Sequence, residues 1–392
     1  MKPPSSLSEP LARVSEAFLD FFRQESSGGL LLLFCGMLAM GAANSPWAAA
    51  YDHALHIPVS LFPGLSMSLL HWVNDGLMAV FFLVVGMEIK REFLFGELKS
   101  LSATILPIAA AIGGMAVPAA VYVLFNHGLP SLSGWAIPMS TDIAFSLGVL
   151  AFAARGVPRS IAVFLTALAI VDDLGGIIVI ALFYSASPDL TALASGLAVL
   201  LLLFAAARRG IHTPFVYIAG GLALWYAFLL AGIHPTVAGV LLGFAIPAGS
   251  METQEEFPLR RWEHRLAPWS AFLIMPIFAF GNAGIPLGSD SFLSLASPIG
   301  LGVIGGLFLG KPLGIFGTVY LLIRSGAAKM PDGVRWSHFL GAGVLAGIGF
   351  TMSIFLATLS FASPADLVCA KAAIVTASIL SGLLGVLIFK LT

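Results

Sequence analysis

Apolar residues in this chain come in long continuous runs rather than in alternation. The runs cover residues 28–46, 68–89, 102–125, 131–153, 160–184, 190–207, 214–230, 232–248, 267–286, 298–323, 338–361 and 366–389. A helix needs about 20 mostly apolar residues to cross a bilayer core, so the pattern predicts about twelve spans. The pair 214–230 and 232–248 is short and separated only by Ala231-Gly232-Ile233-His234-Pro235. Membrane-spanning strands would alternate over roughly ten residues; these runs are rich in Leu, Ala and Gly throughout, which argues against a β-barrel. The predicted fold class is an all-α polytopic membrane protein with about twelve transmembrane helices. Residues 1–25 stand apart. Leu11, Val14, Phe18, Phe21 and Phe22 recur there at helical spacing among Glu9, Glu16, Asp20 and Glu25. This predicts a cytoplasmic N-terminal amphipathic segment, not a secretory signal. Residues 26–392 are expected to form a single membrane domain.

Composition sharpens that reading. Of 392 residues, 58% are apolar and 10% charged, against about a quarter charged in a soluble domain. Nineteen basic against twenty acidic residues leave no basic excess for nucleic acid. Cys35 and Cys369 lie in or beside spans and read as buried small apolar residues. Placement of the basic residues gives an orientation. With the N-terminus inside, 17 of the 19 fall in inner segments. Lys371 falls on an outer edge and Lys311 within a span. Both termini are therefore expected to be cytoplasmic.

An ionisable group at the bilayer centre costs about 2.5–3.5 kcal/mol on insertion scales, so each one needs a reason. Asp142, Asp172, Asp173 and Lys311 lie midway along their spans; Asp75 and Glu88 lie nearer the ends of theirs. Asp172 and Asp173, about 100° apart on a helix, cannot both face one partner. One can pair with Lys311 while the other faces a cavity, and the pair can also be read as a plain tie between helices. Hard carboxylate oxygens suit Na⁺ or Li⁺ and take protons in their place. A site holding either, but not both, meets the minimum requirement for exchange. Lys311 reads equally as a structural counter-charge or a proton carrier. The stretch Gly305 to Lys311 imitates a phosphate-binding loop, but Pro312 stands where a hydroxyl is needed and the flanks are a membrane span.

Two spans carry interruptions: Pro138-Met139-Ser140-Thr141-Asp142, and Gly347-Ile348-Gly349-Phe350-Thr351-Met352-Ser353. Broken backbone at mid-depth is tolerated only where it is buried or lines a cavity. Two such spans in different halves predict discontinuous helices that cross at a transport site. Half-helix ends carry partial charges, which Asp142 and Lys311 are suited to offset. The glycines alone also fit close helix packing, as Gly302, Gly306, Gly310 and Gly314 do. At the inner surface, Glu252 to Arg265 is the densest charge run, either a solvated loop or, with Glu88, Arg91 and Glu92, a titrating cluster. His234 beside Pro235 reads as a turn histidine on the outer side.

The chain resembles the bacterial NhaA sodium–proton antiporter family over nearly its whole length from about residue 25. The resemblance is carried by residues 72–82 (WVNDGLMAVFF), 86–92 (GMEIKRE), 140–145 (STDIAF), 167–175 (ALAIVDDLG), 278–284 (FAFGNAG), 310–314 (GKPLG) and 347–353 (GIGFTMS), in that order. It implies inverted repeats, which are that family's known architecture, and export of Na⁺ or Li⁺ for a larger number of imported protons. Asp173 would be the principal cation and proton carboxylate, with Asp172 joining it and alternating with a salt bridge to Lys311. Asp142 and Thr141 would sit at the helix crossing. Glu88, Arg91, Glu92, Arg261, Glu263 and His264 match the inner pH-response cluster, and His234 a histidine of the same response. Asp75 matches a carboxylate of less defined role. Ala267 stands where the family pattern has a second histidine, so the pH profile is expected to differ.

The expectation is thus a pH-regulated, electrogenic antiporter of a bacterial inner membrane. Its partners are the lipid bilayer, Na⁺, Li⁺ and protons; it has no cofactor and no enzymatic activity, and by resemblance it is a homodimer. An ion-coupled organic-anion symporter of similar architecture is the alternative. An intramembrane hydrolase lacks a nucleophile–base pair, and a channel would need rings of charge.

Overall fold

The computed structural model describes residues 28–62, 65–96, 99, 101–153, 157–185, 188–250, 257–288 and 293–392. The N-terminal segment 1–25 and the start of the inner charge run, residues 252–256, lie outside the described residues. Each of the twelve apolar runs forms helix. They are α1 (Gly28–Ala43), α3 (Leu69–Phe95), α4 (Leu101–Asn126), the pair α5 (Pro130–Met139) and α6 (Ile143–Ala153), α7 (Arg159–Phe183), α8 (Leu190–Arg208) and α9 (Pro214–Leu230). There follow α10 (Thr236–Ala245), α11 (residues 258–282), α12 (Pro298–Arg324), the pair α13 (Trp336–Ala346) and α14 (Phe350–Ser360), and α15 (Pro364–Leu391). Among the described residues, six helices are long and apolar enough to cross a membrane alone, or up to nine with each bent pair taken as one span.

The structure departs from the sequence reading between the first two spans. A short helix, α2 (Ala48–His56), leaves α1 at 113°. An antiparallel hairpin follows, β1 (Pro58–Phe62) with β2 (Leu65–Ser68), a short addition to an all-α membrane fold. Hydropathy is blind to this insert, because its few apolar residues are too short a run to register. The run 232–248 is also shorter than expected. α10 has ten residues, about 15 Å at 1.5 Å per residue, half of a hydrocarbon core of about 30 Å. It can be that short because it is buried against α3, with little of its surface turned to lipid. At the other extreme, α11 begins at Pro258, more than two turns before its apolar run, and carries Arg260 to Arg265 on a charged extension.

Both interrupted spans are broken where the sequence indicates. α5 and α6 meet at 44° across residues 140–142, and α13 and α14 at 43° across residues 347–349. α5 is a 3₁₀ helix throughout, tighter than an α-helix and uncommon at this length. α5 packs on α14 while α6 packs on α13, so the two broken spans run antiparallel with their breaks together.

Small residues set the closest helix approaches. A Cβ on Gly314 of α12 would lie 2.1 Å from the Gly113 carbonyl of α4, whereas one on Gly317 would meet nothing. Overpacking a tight contact costs about 1–3 kcal/mol, while Gly-to-Ala in a helix with room gains roughly 0.5–1 kcal/mol. Gly314→Ala is therefore expected to lower the Tm of the detergent-solubilised protein, and Gly317→Ala to hold or raise it. Equal Tm values for the two variants would contradict this packing.

Candidate functional site

The two breaks satisfy one another. The Asp142 N–H donates to the Ile348 carbonyl at 2.7 Å, and the Thr141 hydroxyl to the Ala346 carbonyl at 3.0 Å. Asp142 Oδ1 accepts from the Phe145 N–H at 3.0 Å, in the first turn of α6. Its Oδ2 accepts from the Thr351 N–H at 3.1 Å and the Thr351 hydroxyl at 2.5 Å, in the first turn of α14. One buried carboxylate thus caps two helix N-termini, each carrying about half a positive charge. Ser146 and Ser353 tie the remaining backbone, donating to the Leu345 and Ile137 carbonyls, each at 2.9 Å.

The negative end of α5 is met by Lys311. Its ammonium donates to the Met139 carbonyl and lies 2.6 Å from Asp172 Oδ2, with both side chains 0% exposed. Lys311 follows a π-helical stretch, Gly305–Gly310. Burying an unpaired charge costs several kcal/mol even after relaxation, so this pair is a condition for either residue to be here. Asp172 Oδ2 also accepts from the Thr141 hydroxyl at 2.7 Å. That hydroxyl has one proton for two acceptors, Asp172 and the Ala346 carbonyl. Asp172 Oδ1 is buried without a hydrogen-bond partner.

Asp173, one position on, makes no ion pair with the lysine, though the two are within electrostatic reach. It is 6% exposed, and among the described residues its carboxylate makes no hydrogen bond. With Ser140, Gly176 and Met352 it lines a cavity of about 20 Å³. About 10–15 Å³ by this measure accommodates one water, so the space fits one water or one small bare cation. Phe82, Ile180 and Phe355 also line it. Phe355 packs on Phe82 and Phe278 at 5.5 and 6.0 Å between ring centroids.

The remaining expected residues lie at the two ends of the bundle. At the end of α3, Arg91 Nε donates to Glu263 Oε1 and Oε2 at 2.8 and 3.0 Å, and its Nη1 to Glu92 Oε1 at 2.5 Å. Glu88 is within electrostatic reach of all three. Burial pushes the Glu263 carboxyl above its ordinary value, with Arg91 opposing and Glu92 adding to the rise. Arg261 and His264 are on the exposed side of α11, and His264 makes no hydrogen bond or ion pair among the described residues. His234 is not with this cluster. It lies at the opposite end, its Nε2 2.8 Å from the Tyr184 carbonyl, within electrostatic reach of Asp75 and His71. Asp75 lies in a π-helical turn, Trp72–Leu77, with Oδ2 3.1 Å from His71 Nε2.

Sequence reasoning missed the carbonyls of Met139 and Ala346, Ser146, and Ser378, which accepts from the Phe350 N–H at 3.2 Å. Main-chain partners have no residue signature, and lone hydroxyls on apolar spans are too common to single out.

A family model for Na⁺/H⁺ antiporter 1 matches residues 19–389. The Na(+)/H(+) antiporter NhaA 1 of Clostridium beijerinckii is 50% identical over 384 residues, 97% of this chain and 96% of that protein. The Na(+)/H(+) antiporter NhaA of Vibrio cholerae is 46% identical over 382 residues, 97% and 98% of the two chains. In fold, the chain is similar to the sodium proton antiporter MjNhaP1 of Methanocaldococcus jannaschii. The TM-score is 0.55 at 16% identity, over 94% of this chain and 98% of that one. Similarity of this extent, on a fold whose paired breaks and buried charges are in place, means that the chain belongs to the Na⁺/H⁺ antiporter 1 family of transporters.

Proposed function

We propose that this protein is a secondary antiporter that exports Na⁺, or Li⁺, in exchange for a larger number of protons. The observation that carries the reading is the pair of adjacent carboxylates at mid-depth. Asp172 is held by Lys311 with one oxygen unpartnered, and Asp173 is unbonded at a cavity of one-cation size. Asp173 takes a dehydrated cation, with Asp172 Oδ1 as a second hard oxygen. Two buried carboxylates close together repel, so when the cation leaves, protons replace it. Competition for the same oxygens couples the fluxes, without a cofactor and without an enzymatic step. Taking up protons on two carboxylates for one monovalent cation makes the exchange electrogenic. The small cavity favours this over organic-anion symport, since an organic-ligand site measures about 300–1,000 Å³.

The protein works in the bacterial inner membrane, as a homodimer with both termini in the cytoplasm, by alternating access. The aromatic wall of Phe82, Phe278 and Phe355 is the seal on one side of Asp173. The cytoplasmic cluster of Glu88, Arg91, Glu92 and Glu263 supplies pH response, with Arg261 and His264 beside it and His234 acting from the outer end.

The direct test is the purified protein in liposomes with an imposed pH gradient. Luminal pH is followed as Na⁺, Li⁺ or K⁺ is added. Na⁺ and Li⁺ should each drive proton flux at alkaline pH; no cation-dependent flux would overturn the proposal. In the same vesicles Asp173→Asn should abolish exchange, and wild-type rates in that variant would mean that another carboxylate carries the cation. Lys311→Ala leaves Asp172 buried and unpaired, at a cost of about 3–5 kcal/mol. Its Tm should fall clearly, and adding Asp172→Asn should recover part of the loss; no recovery would show that the two residues act independently.

Glu263 gives a signed pH test. Its pKa is raised in the folded state, so its contribution is fully present below the ordinary glutamate value and is lost as pH rises through the raised one. Glu88, Arg91 and Glu92 face it from α3, and Arg260 from its own helix. The Tm of the wild type relative to Glu263→Gln should fall across that interval and level off above it. A difference constant with pH would remove Glu263 from the titrating set.

A further inference from the structure

A groove of about 840 Å³ opens between α1, α6 and α15, sharing no lining residue with the cavity at Asp173. Its walls are almost wholly apolar. Along α1 it runs from Gly29 to Met40, about 17 Å at 1.5 Å per residue. That is roughly half of a hydrocarbon core of about 30 Å, the depth of one leaflet. Leu30, Phe152 and Leu383 on its rim are 69%, 80% and 67% exposed, so the groove opens sideways, toward lipid rather than water.

One end of the groove is cationic. On α15, Ile379, Leu383 and Val386 line it at helical spacing. Lys390, four residues past Val386, continues the same stripe and is exposed. Arg335 stands beside the end of α15, its Nη1 donating to the Thr392 main-chain oxygen at 3.0 Å. A slot one leaflet deep, apolar along its length and positive at its mouth, matches an amphiphile with a long apolar chain and an anionic head.

We propose that this groove is a binding site for an anionic phospholipid, with an acyl chain lying between α1, α6 and α15 and the headgroup phosphate at Lys390. The floor of the groove joins it to the helix crossing. Phe145 and Phe350 pack edge to face at 5.7 Å. The Phe145 N–H is the one held by Asp142, and the Phe350 N–H opens α14. Gly36 keeps room for that ring: a Cβ there would stand 2.8 Å from Phe350 Cζ. A bound chain therefore packs directly on the first turns of both half-helices that Asp142 caps.

The test uses the full chain in phosphatidylcholine vesicles doped with phosphatidylglycerol carrying a photoreactive acyl chain. After irradiation, adducts are mapped by peptide mass spectrometry. Labelling of Leu33, Met37 or Leu383 should exceed severalfold that of Leu201 and Leu202, which at 69% each on α8 are at least as exposed as any of the three. Gly382→Leu adds bulk to the groove where a Cβ meets only Ile348 Cδ1, at 3.8 Å, and should remove the excess. Ile379→Trp is a second filling variant, and circular dichroism checks that both are folded. Lys390→Gln should weaken labelling by the phosphatidylglycerol probe and leave a matching phosphatidylcholine probe unchanged. Labelling no higher than on α8, or unaffected by filling the groove, would overturn the site. So would crosslinks from the groove to residues 1–27 or to a second copy of the chain in place of lipid.

Discussion

A bilayer core has no water to satisfy an interrupted helix, and the rest of the site depends on how this protein meets that constraint. Each break frees backbone groups that would be costly to leave unpaired in hydrocarbon. Setting the breaks back to back lets one supply the other, as the Asp142 N–H does for the Ile348 carbonyl. Four half-helix ends then converge on one point. Two positive ends meet at Asp142. The negative end of α5 draws in Lys311, a buried ammonium needs a counter-charge, and Asp172 is that charge. The ion pair follows from the broken backbone.

This sequence of needs ends at Asp173, for which no structural partner remains. Asp142 has three hydrogen-bond donors and Asp172 has an ammonium and a hydroxyl. Asp173 has a small cavity and the negative charge of its neighbour. On the proposed reading, this poorly compensated group is the one that takes the cation or the proton. Adjacent identical residues thus acquire different work, because their side chains leave the helix about 100° apart.

Much of this is legible in the sequence because charge is scarce. With a tenth of the residues charged, Asp142, Asp172, Asp173 and Lys311 stand out in runs that hydropathy defines well, and Pro138 and Gly347 to Gly349 mark the breaks. Pairing is a different matter. Position along a span indicates that Lys311 is at the depth of Asp172, but not that Met139 offers the carbonyl or that Thr141 bridges two spans. The inner face shows the same limit. Glu263 and His264 are neighbours in one charged run, yet helix geometry turns the first to Arg91 and the second outward. The α2 helix and the hairpin left no signal, since neither makes a long apolar run. The burial that lets α10 be so short comes from tertiary packing.

The two breaks are not equivalent, although their bend angles nearly match. At α5 the helix end is met by a full charge on Lys311. At α13 the Ala346 carbonyl has the hydroxyl of Thr141, whose one proton is also directed at Asp172. Charge-assisted hydrogen bonds are roughly twice as strong as neutral ones, so the Ala346 carbonyl has a weaker partner than the Met139 carbonyl. The surroundings agree with that. Ser381 lies beside Gly347, 2.7 Å from where a Cβ would stand, with its hydroxyl buried and unpartnered. Thr141 is then the joint between the two arrangements, because its proton can favour either the carboxylate or the helix end. A single hydroxyl therefore links the carboxylate pair to the backbone of the second break.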